Sequence, residues 1–113
     1  MKKEIDIILL PETKRFLNQS PDKIKDKFSY VFLKTSIGYR GDWFKKLSDT
    51  DGIFEFRIRA SLGFYRVFAF WDDTLKTKTL IVCTHGLKKK TNKTPKTEIK
   101  RAERIKKKYF NSN

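Results

Sequence analysis

Residues 53–71 read IFEFRIRASLGFYRVFAFW, and the order of apolar and charged residues in this stretch decides the fold. From residue 54 to residue 60 the two kinds alternate strictly, which is the period of a half-buried strand. Ser61, Leu62 and Gly63 follow as a turn, because glycine adopts positive φ at little cost. Residues 64–71 return as a second strand that is dense in aromatic side chains. The stretch therefore predicts an antiparallel hairpin with one apolar and one charged face.

Three arginines fall on the charged face of this hairpin. If residues 62–63 form the loop, Arg59 lies opposite Arg66, and Arg57 shares their face because side chains repeat every second residue. Like charges across a ladder repel, so the arrangement has two interpretations. In the first, the guanidinium groups form a clamp for phosphate, whose oxygens match their planar, bidentate donors. In the second, carboxylates offset the arginines on a solvated face, and the candidates are Glu55, Asp49, Asp51 or a carboxylate of a partner.

The charge of the chain is strongly positive and unevenly distributed. The 113 residues carry a formal net charge of +14, and residues 85–113 hold eleven lysines and arginines against two glutamates, or +9 of that total. Such a charge predicts a polyanionic partner, most often nucleic acid, although an acidic protein or an anionic membrane surface would also satisfy it. No apolar run approaches the ~20 residues that span a bilayer, and the N-terminal segment MKKEIDIILLPETKR has acidic residues where a signal peptide should have none. We expect a cytoplasmic protein with no membrane partner.

The segments before the hairpin predict one strand and two helices. Residues 4–10 form the strand candidate and residues 11–17 a short helix. A longer helix begins with Ser20 as N-cap and Pro21 at the first helical position, and it stops at Gly38. Residues 39–52 read as a loop, in which Trp43 either packs on the core or stacks on a nucleic-acid base.

The segments after the hairpin predict a central strand and a basic helix. Residues 79–85 are apolar on both sides and are ended by Gly86, and residues 87–93 follow as an exposed basic loop. Thr94 caps the last helix. The chain is then one domain, residues 1–113, in which residues 85–113 are the basic loop and C-terminal helix. Its predicted class is α+β in the order β-α-α-β-β-β-α, a small twisted, mainly antiparallel sheet with helices packed on one face.

His85 is the candidate for proton transfer. It is the one histidine of the chain, it ends the third predicted strand, and its reference pKa near 6.5 suits a general acid or base. Cleavage of RNA without metal needs such a group together with cations that stabilise the phosphate. Glu55, on the arginine face, is the alternative base. We expect no metal and no cofactor, because no cluster has ligand spacing and no glycine-rich phosphate loop is present.

Several motifs together resemble one family. These are GIFEFRIR at 52–59, FYRVFAF at 64–70, THGLKKKT at 84–91 and KTPKTEIKRA at 93–102. The chain resembles the phage-derived branch of the RelE/HigB toxins of bacterial toxin-antitoxin modules. That resemblance implies a ribosome-dependent mRNA endonuclease, an mRNA interferase that inhibits translation and is silenced by a cognate antitoxin, often a helix-turn-helix protein. Because of the charge of +14, we expect the antitoxin to cover the arginines with an acidic surface.

The resemblance also implies roles for single residues. The basic positions of RelE-like toxins match Arg57, Arg59 and Arg66, the further basic residue after the last strand matches Lys88, and His85 stands in for a tyrosine that this chain lacks. Seven other basic residues are expected to bind ribosomal RNA and mRNA through phosphate contacts. They are Lys89, Lys90, Lys93, Lys96, Lys100, Arg101 and Arg104.

Two other functions remain open on the sequence alone. A non-catalytic RNA- or DNA-binding module would use the same cations and stack bases on its aromatic rings. A ParE-like toxin would share the fold and inhibit gyrase, but such toxins are expected to lack the clustered arginines. The arginine set therefore favours the endonuclease.

Overall fold

The computed structural model describes residues 4–61 and 63–112, which form a five-stranded sheet and three helices. The strands are β1 (Glu4–Leu9), β2 (Phe44–Lys46), β3 (Phe54–Ala60), β4 (Gly63–Asp72) and β5 (Lys78–Lys89), and the helices are α1 (Pro11–Asn18), α2 (Asp22–Ser36) and α3 (Lys96–Asn111). The order across the sheet is β1-β5-β4-β3-β2, with β1 parallel to β5 and the other pairings antiparallel. This confirms the α+β class and the mainly antiparallel sheet.

The hairpin forms as expected, but its register differs by two residues. Arg57, not Arg59, pairs with Arg66, and Ala60 pairs with Gly63. The turn therefore begins at Ser61, and β4 begins at Gly63; Leu62 lies outside the described residues. Because side chains repeat every second residue, a shift of two leaves all three arginines on one face.

The expectation that the helices share one sheet face is wrong for α3. One apolar cluster joins Tyr65 and Val67 of β4 to Phe28 of α2, and it also includes side chains of α1. A second cluster joins Phe68 of β4, together with Phe70, to Ala102 of α3. Alternate residues of a strand point to opposite faces, so α3 packs on the face opposite to α1 and α2. Arg66 belongs to that same alternation, and the arginines therefore lie on the α3 face.

The expected loop at 39–52 contains a short edge strand. β2 pairs with the start of β3, and Phe44 stacks on Phe56 with ring centroids 4.4 Å apart. Just before β2, the Trp43 ring packs against the core and its Nε1 donates a hydrogen bond of 3.0 Å to Thr35 Oγ1. Gly41 lies directly beneath this ring, since a Cβ there would be 2.0 Å from Trp43 Cζ3. Trp43 thus attaches this segment to α2.

β5 continues past Gly86 to Lys89, so glycine does not end the strand and residues 87–89 are not part of a loop. A β-bulge lies just before Gly86. Val67 pairs with Gly86 and Ala69 pairs with Cys83, so Thr84 and His85 together lie opposite one residue of β4. Gly86 is required by packing, because a Cβ at this position would lie 2.1 Å from the Phe16 ring.

Two predicted helix caps are also wrong. Pro21 and Pro95 occupy the N-cap positions of α2 and α3, and neither helix has a side-chain cap. Ser20 Oγ instead donates to the carbonyl of Phe16 at 2.8 Å. Thr94 Oγ1 donates to Glu55 Oε2 at 3.0 Å, which connects the segment before α3 to the arginine face. Gly38, with φ of 104°, does follow the end of α2 as expected.

Candidate active site

Arg57, Arg59 and Arg66 line one open cleft of about 540 Å³ on the α3 face of the sheet. We call it the arginine cleft. The three side chains meet because β3 and β4 are adjacent antiparallel strands and each arginine points to the same side. The other lining residues are Asp42, Trp43, Lys45, Phe64 and Asn92.

Glu55 forms ion pairs with both of the paired arginines. Its Oε1 lies 3.2 Å from Nε of Arg57 and 3.4 Å from Nε of Arg66, and both Glu55 and Arg66 are 2% exposed. Asp51, by contrast, pairs with Lys106 of α3, 3.7 Å away. One carboxylate facing two guanidinium groups leaves an excess of positive charge at the cleft. The second sequence interpretation therefore holds in part: a carboxylate offsets the arginines, but it is buried and does not lie on a solvated face. The phosphate clamp stays a prediction.

Arg66 is held rigidly in spite of its burial. Its Nη1 donates to the Tyr65 carbonyl at 3.2 Å, and its Nη2 donates to Asn92 Oδ1. Burial lowers the pKa of the Arg66 guanidinium, Glu55 opposes that effect, and Arg57 adds to it. The guanidinium nevertheless stays protonated, because arginine is the most basic side chain. Arg66 is thus a fixed positive charge at the base of the cleft.

Arg59 is the exposed member of the set. It lies at the open end of β3, and its Cζ is 5.5 Å from the centroid of the Phe64 ring. The Cζ of Arg66 is 5.4 Å from the same centroid. A ring this close to two guanidinium groups is attracted to both. Phe64 therefore fixes the spacing of the cationic groups and offers an apolar surface inside the cleft.

His85 lies in the interior and not beside the cleft. It is 1% exposed, its ring stacks on Phe68 with centroids 4.8 Å apart, and its Nε2 is 3.0 Å from Glu98 Oε1 of α3. Its Nδ1 is 2.9 Å from Thr84 Oγ1. Burial lowers the pKa of His85, Arg101 adds to this, and Glu98 opposes it. The expected position at an exposed strand end is wrong, because the strand continues past this residue.

Lys88 points away from the arginines and Lys89 points toward them. Lys88 Nζ lies 5.6 Å from the Tyr65 ring centroid, on the face of α1 and α2. Lys89 Nζ donates to Thr94 Oγ1 at 3.1 Å, and that hydroxyl in turn donates to Glu55. Burial lowers the pKa of the Lys89 ammonium, with Glu55 opposing and Arg66 and Arg57 adding to the shift. Lys89, and not Lys88, therefore lies on the side of the sheet that carries the arginines.

The remaining basic candidates form an exposed surface beyond the cleft, with one exception. Arg101 pairs with Glu12 and lies 3.7 Å from Glu98, so its charge is used within the fold. The others are exposed: Lys90, Lys93, Lys96, Lys100 and Arg104.

Asn92, Phe64 and Lys45 belong to the cleft and were missed in the sequence. Asn92 follows β5 in an irregular segment, where no periodicity marks its contacts.

Among the described residues no group of three or more metal-binding side chains is present, and no helix of that part of the chain is long and apolar enough to cross a membrane.

Comparisons with known proteins agree with this architecture. Residues 15–107 match the family model described as "Phage derived protein Gp49-like (DUF891)". The structure is similar to that of a doubly substituted mutant of the Escherichia coli toxin RelE in the free state, with a TM-score of 0.63 and 12% sequence identity over 94% of this chain and 98% of that chain. No curated protein matches the chain. The chain belongs to the Gp49-like phage-derived family and has the fold of a RelE-like toxin.

Proposed function

We propose that this protein is the toxin of a toxin-antitoxin pair and cleaves mRNA on the ribosome as a metal-independent endoribonuclease. The observation that carries the proposal is the arginine cleft, where Arg57, Arg59 and Arg66 meet in an open depression on a RelE-like fold. Three guanidinium groups against one buried carboxylate suit a phosphodiester, which carries one negative charge in the ground state and more in the transition state.

In the proposed reaction the 2′-oxygen of a nucleotide attacks the adjacent phosphorus and the bond from phosphorus to the 5′-oxygen breaks. A 2′,3′-cyclic phosphate and a 5′-hydroxyl end form: the 2′-hydroxyl gives its proton to solvent water, and the 5′-oxygen receives one from a general acid. Arg57 and Arg66 stabilise the charge on the phosphoryl oxygens, and Arg59 at the open end holds the RNA in line.

Lys89 is the proposed proton donor for the 5′-oxygen. Its lowered pKa brings the ammonium closer to the range in which a general acid is effective, and it lies beside the paired arginines. The two bases considered in the sequence have other bonds: both oxygens of Glu55 and both ring nitrogens of His85 are engaged inside the fold. The proposal therefore rests on charge stabilisation, alignment and a general acid. Glu55 positions the paired arginines, and His85 is a buried residue that links β5 to α3.

A protein partner has a continuous surface that leads to the cleft. Four large apolar side chains in the second half of α2 and just after it are about 60% exposed, namely Tyr30 (61%), Leu33 (59%), Ile37 (63%) and Tyr39 (60%). Lys34, between them, lies with its Nζ 4.1 Å from the centroid of Trp43, which lines the cleft. An antitoxin segment with apolar and acidic side chains would cover this surface and reach the arginines. An antitoxin that left the arginines exposed would contradict this part of the proposal.

The test is primer extension on a defined mRNA in a purified translation system, with and without ribosomes. We expect wild type to cut within codons of the ribosomal A site only when ribosomes are present, and Arg59→Ala to lose about 10²-fold in rate because one charge contact is removed. Arg59 is exposed, so this variant keeps its fold, which circular dichroism checks. The matched control is Arg15→Ala, an exposed arginine of α1 paired with Glu12.

The other outcomes separate the alternatives. A folded wild type that binds ribosomes without cleaving mRNA would support a non-catalytic RNA-binding module. Induced cells that show DNA damage before loss of mRNA would support a gyrase-directed toxin.

A further inference from the structure

The side chain of Asn92 completes the arginine cleft as an internal acceptor. Its Oδ1 accepts hydrogen bonds from Nη2 of Arg66 and, at 3.4 Å, from Nη2 of Arg57. One oxygen thus faces donors from both members of the paired arginines. A non-bridging oxygen of a phosphodiester would use the same two donors. Asn92 and a bound phosphate therefore compete for one position.

We propose that Asn92 occupies the phosphate-oxygen position of the arginine cleft in the free protein and is displaced by a backbone phosphate of RNA. The inference rests on the proposed function, because it names the substrate group that the cleft binds. It adds a residue that sets the affinity of the site for phosphate.

The donors are fixed while the acceptor lies on an irregular segment. Arg66 is buried on β4 and Arg57 lies on the neighbouring strand, both against Glu55. Asn92 is exposed and lies between the end of β5 and the start of α3, where the Lys89 ammonium donates to its carbonyl at 3.2 Å. The exchange needs no movement of the sheet.

A neutral acceptor suits a site that must later bind an anion. Without any acceptor, a donor of buried Arg66 would be left unpaired, which is costly. A carboxylate at position 92 would satisfy the same donors but would neutralise them permanently. In the hydrogen bonds of the carboxamide only the donor is charged, so they are weaker than those of an anionic phosphate oxygen. Displacement of Asn92 by phosphate therefore lowers the free energy.

The test measures binding without cleavage. The probe is a fluorescent single-stranded RNA tetranucleotide with 2′-O-methyl groups, which lacks the attacking hydroxyl, titrated with the full chain at one fixed low salt concentration. We expect Asn92→Ala to bind it about threefold more tightly and Asn92→Asp about tenfold more weakly, the latter because a fixed anion competes for the arginines. The control is Thr91→Asp, which adds the same charge at an exposed neighbouring position and should change affinity less than about twofold.

The outcomes distinguish this inference from the proposed function. Tighter binding by Asn92→Ala together with weak binding by Asn92→Asp supports the inference even if wild type cuts no mRNA on ribosomes. If wild type cleaves mRNA but the two variants bind the probe as wild type does, the inference fails and the endonuclease stands. Weaker binding by Asn92→Ala would also overturn it, since Asn92 would then be a ligand of the RNA and not its competitor.

Discussion

Replacing Glu55 by glutamine should destabilise the fold by about 3 kcal/mol. Glu55 and Arg66 have side-chain exposures of 2% and 3%, and removing one partner of a buried ion pair costs about 3–5 kcal/mol because the other charge stays buried. The lower end applies, because Arg66 keeps its bonds to Tyr65 and Asn92 and because Arg57 is 28% exposed and screened by water. For a chain of this length the loss corresponds to roughly 10–15 °C in Tm.

The assay is urea unfolding followed by circular dichroism, with a double variant to identify the cause. Glu55→Gln with Arg66→Met removes both charges, and it should recover most of the stability lost in Glu55→Gln because an uncharged side chain then fills the site. Asp42→Asn, which breaks an exposed pair with Lys45, should unfold like wild type. A change below about 1 kcal/mol in Glu55→Gln would refute the reasoning, since it would mean that the charge of Arg66 is compensated by other groups.

Three further predictions concern β5. Gly86→Ala should lower the free energy of unfolding by about 1–3 kcal/mol in thermal denaturation, because its Cβ would overlap the Phe16 ring, and the cost should shrink in a Phe16→Leu background. Burial lowers the pKa of His85 in the folded protein, so below pH ~6.5 the unfolded chain binds more protons than the folded one. The contribution of His85 to the free energy of unfolding is therefore complete above that pH and decreases as the pH falls below it. His85→Gln should remove this part of the pH dependence in urea unfolding between pH 7.5 and 5.5, and an unchanged slope would contradict it. Lys89→Met should reduce mRNA cleavage about 10²-fold and Lys88→Met should not, whereas the reverse ranking would return Lys88 to the site.

The arginine face could be predicted from the sequence because it depends only on alternation. Strand β3 alternates without interruption, so Arg57 and Arg59 share a face whatever the loop is. The register was wrong by two residues, an error that alternation tolerates. The sequence therefore predicts that the three arginines share a face, but it does not determine which arginine of β3 pairs with Arg66.

The lysine of the site could not be predicted, for a different physical reason. Strand β5 is apolar on both sides, so its sequence carries no alternation from which a bulge could be detected. From the sequence, Gly86 indicates the end of a strand. Glycine is in fact needed there because the Phe16 ring of α1 leaves no room for a Cβ, and Phe16 is distant in sequence. The position of Asn92 likewise depends on tertiary contacts that no local pattern records. The same holds for β2, whose three residues are too few to show a period.

The bulge at Thr84 and His85 decides which lysine reaches the arginines. Before the bulge, the even-numbered residues Leu80 and Val82 face α3. After the bulge, the odd-numbered Leu87 does so, because the extra residue reverses the alternation of the strand. Lysine occupies positions 88, 89 and 90 in succession. A relative that lost or gained one residue at the bulge would still present an ammonium group to the cleft from this run. The repeated lysines would thus keep an ammonium group on the arginine side of the sheet after an insertion or deletion, and an alignment by sequence position alone would not show which lysine that is.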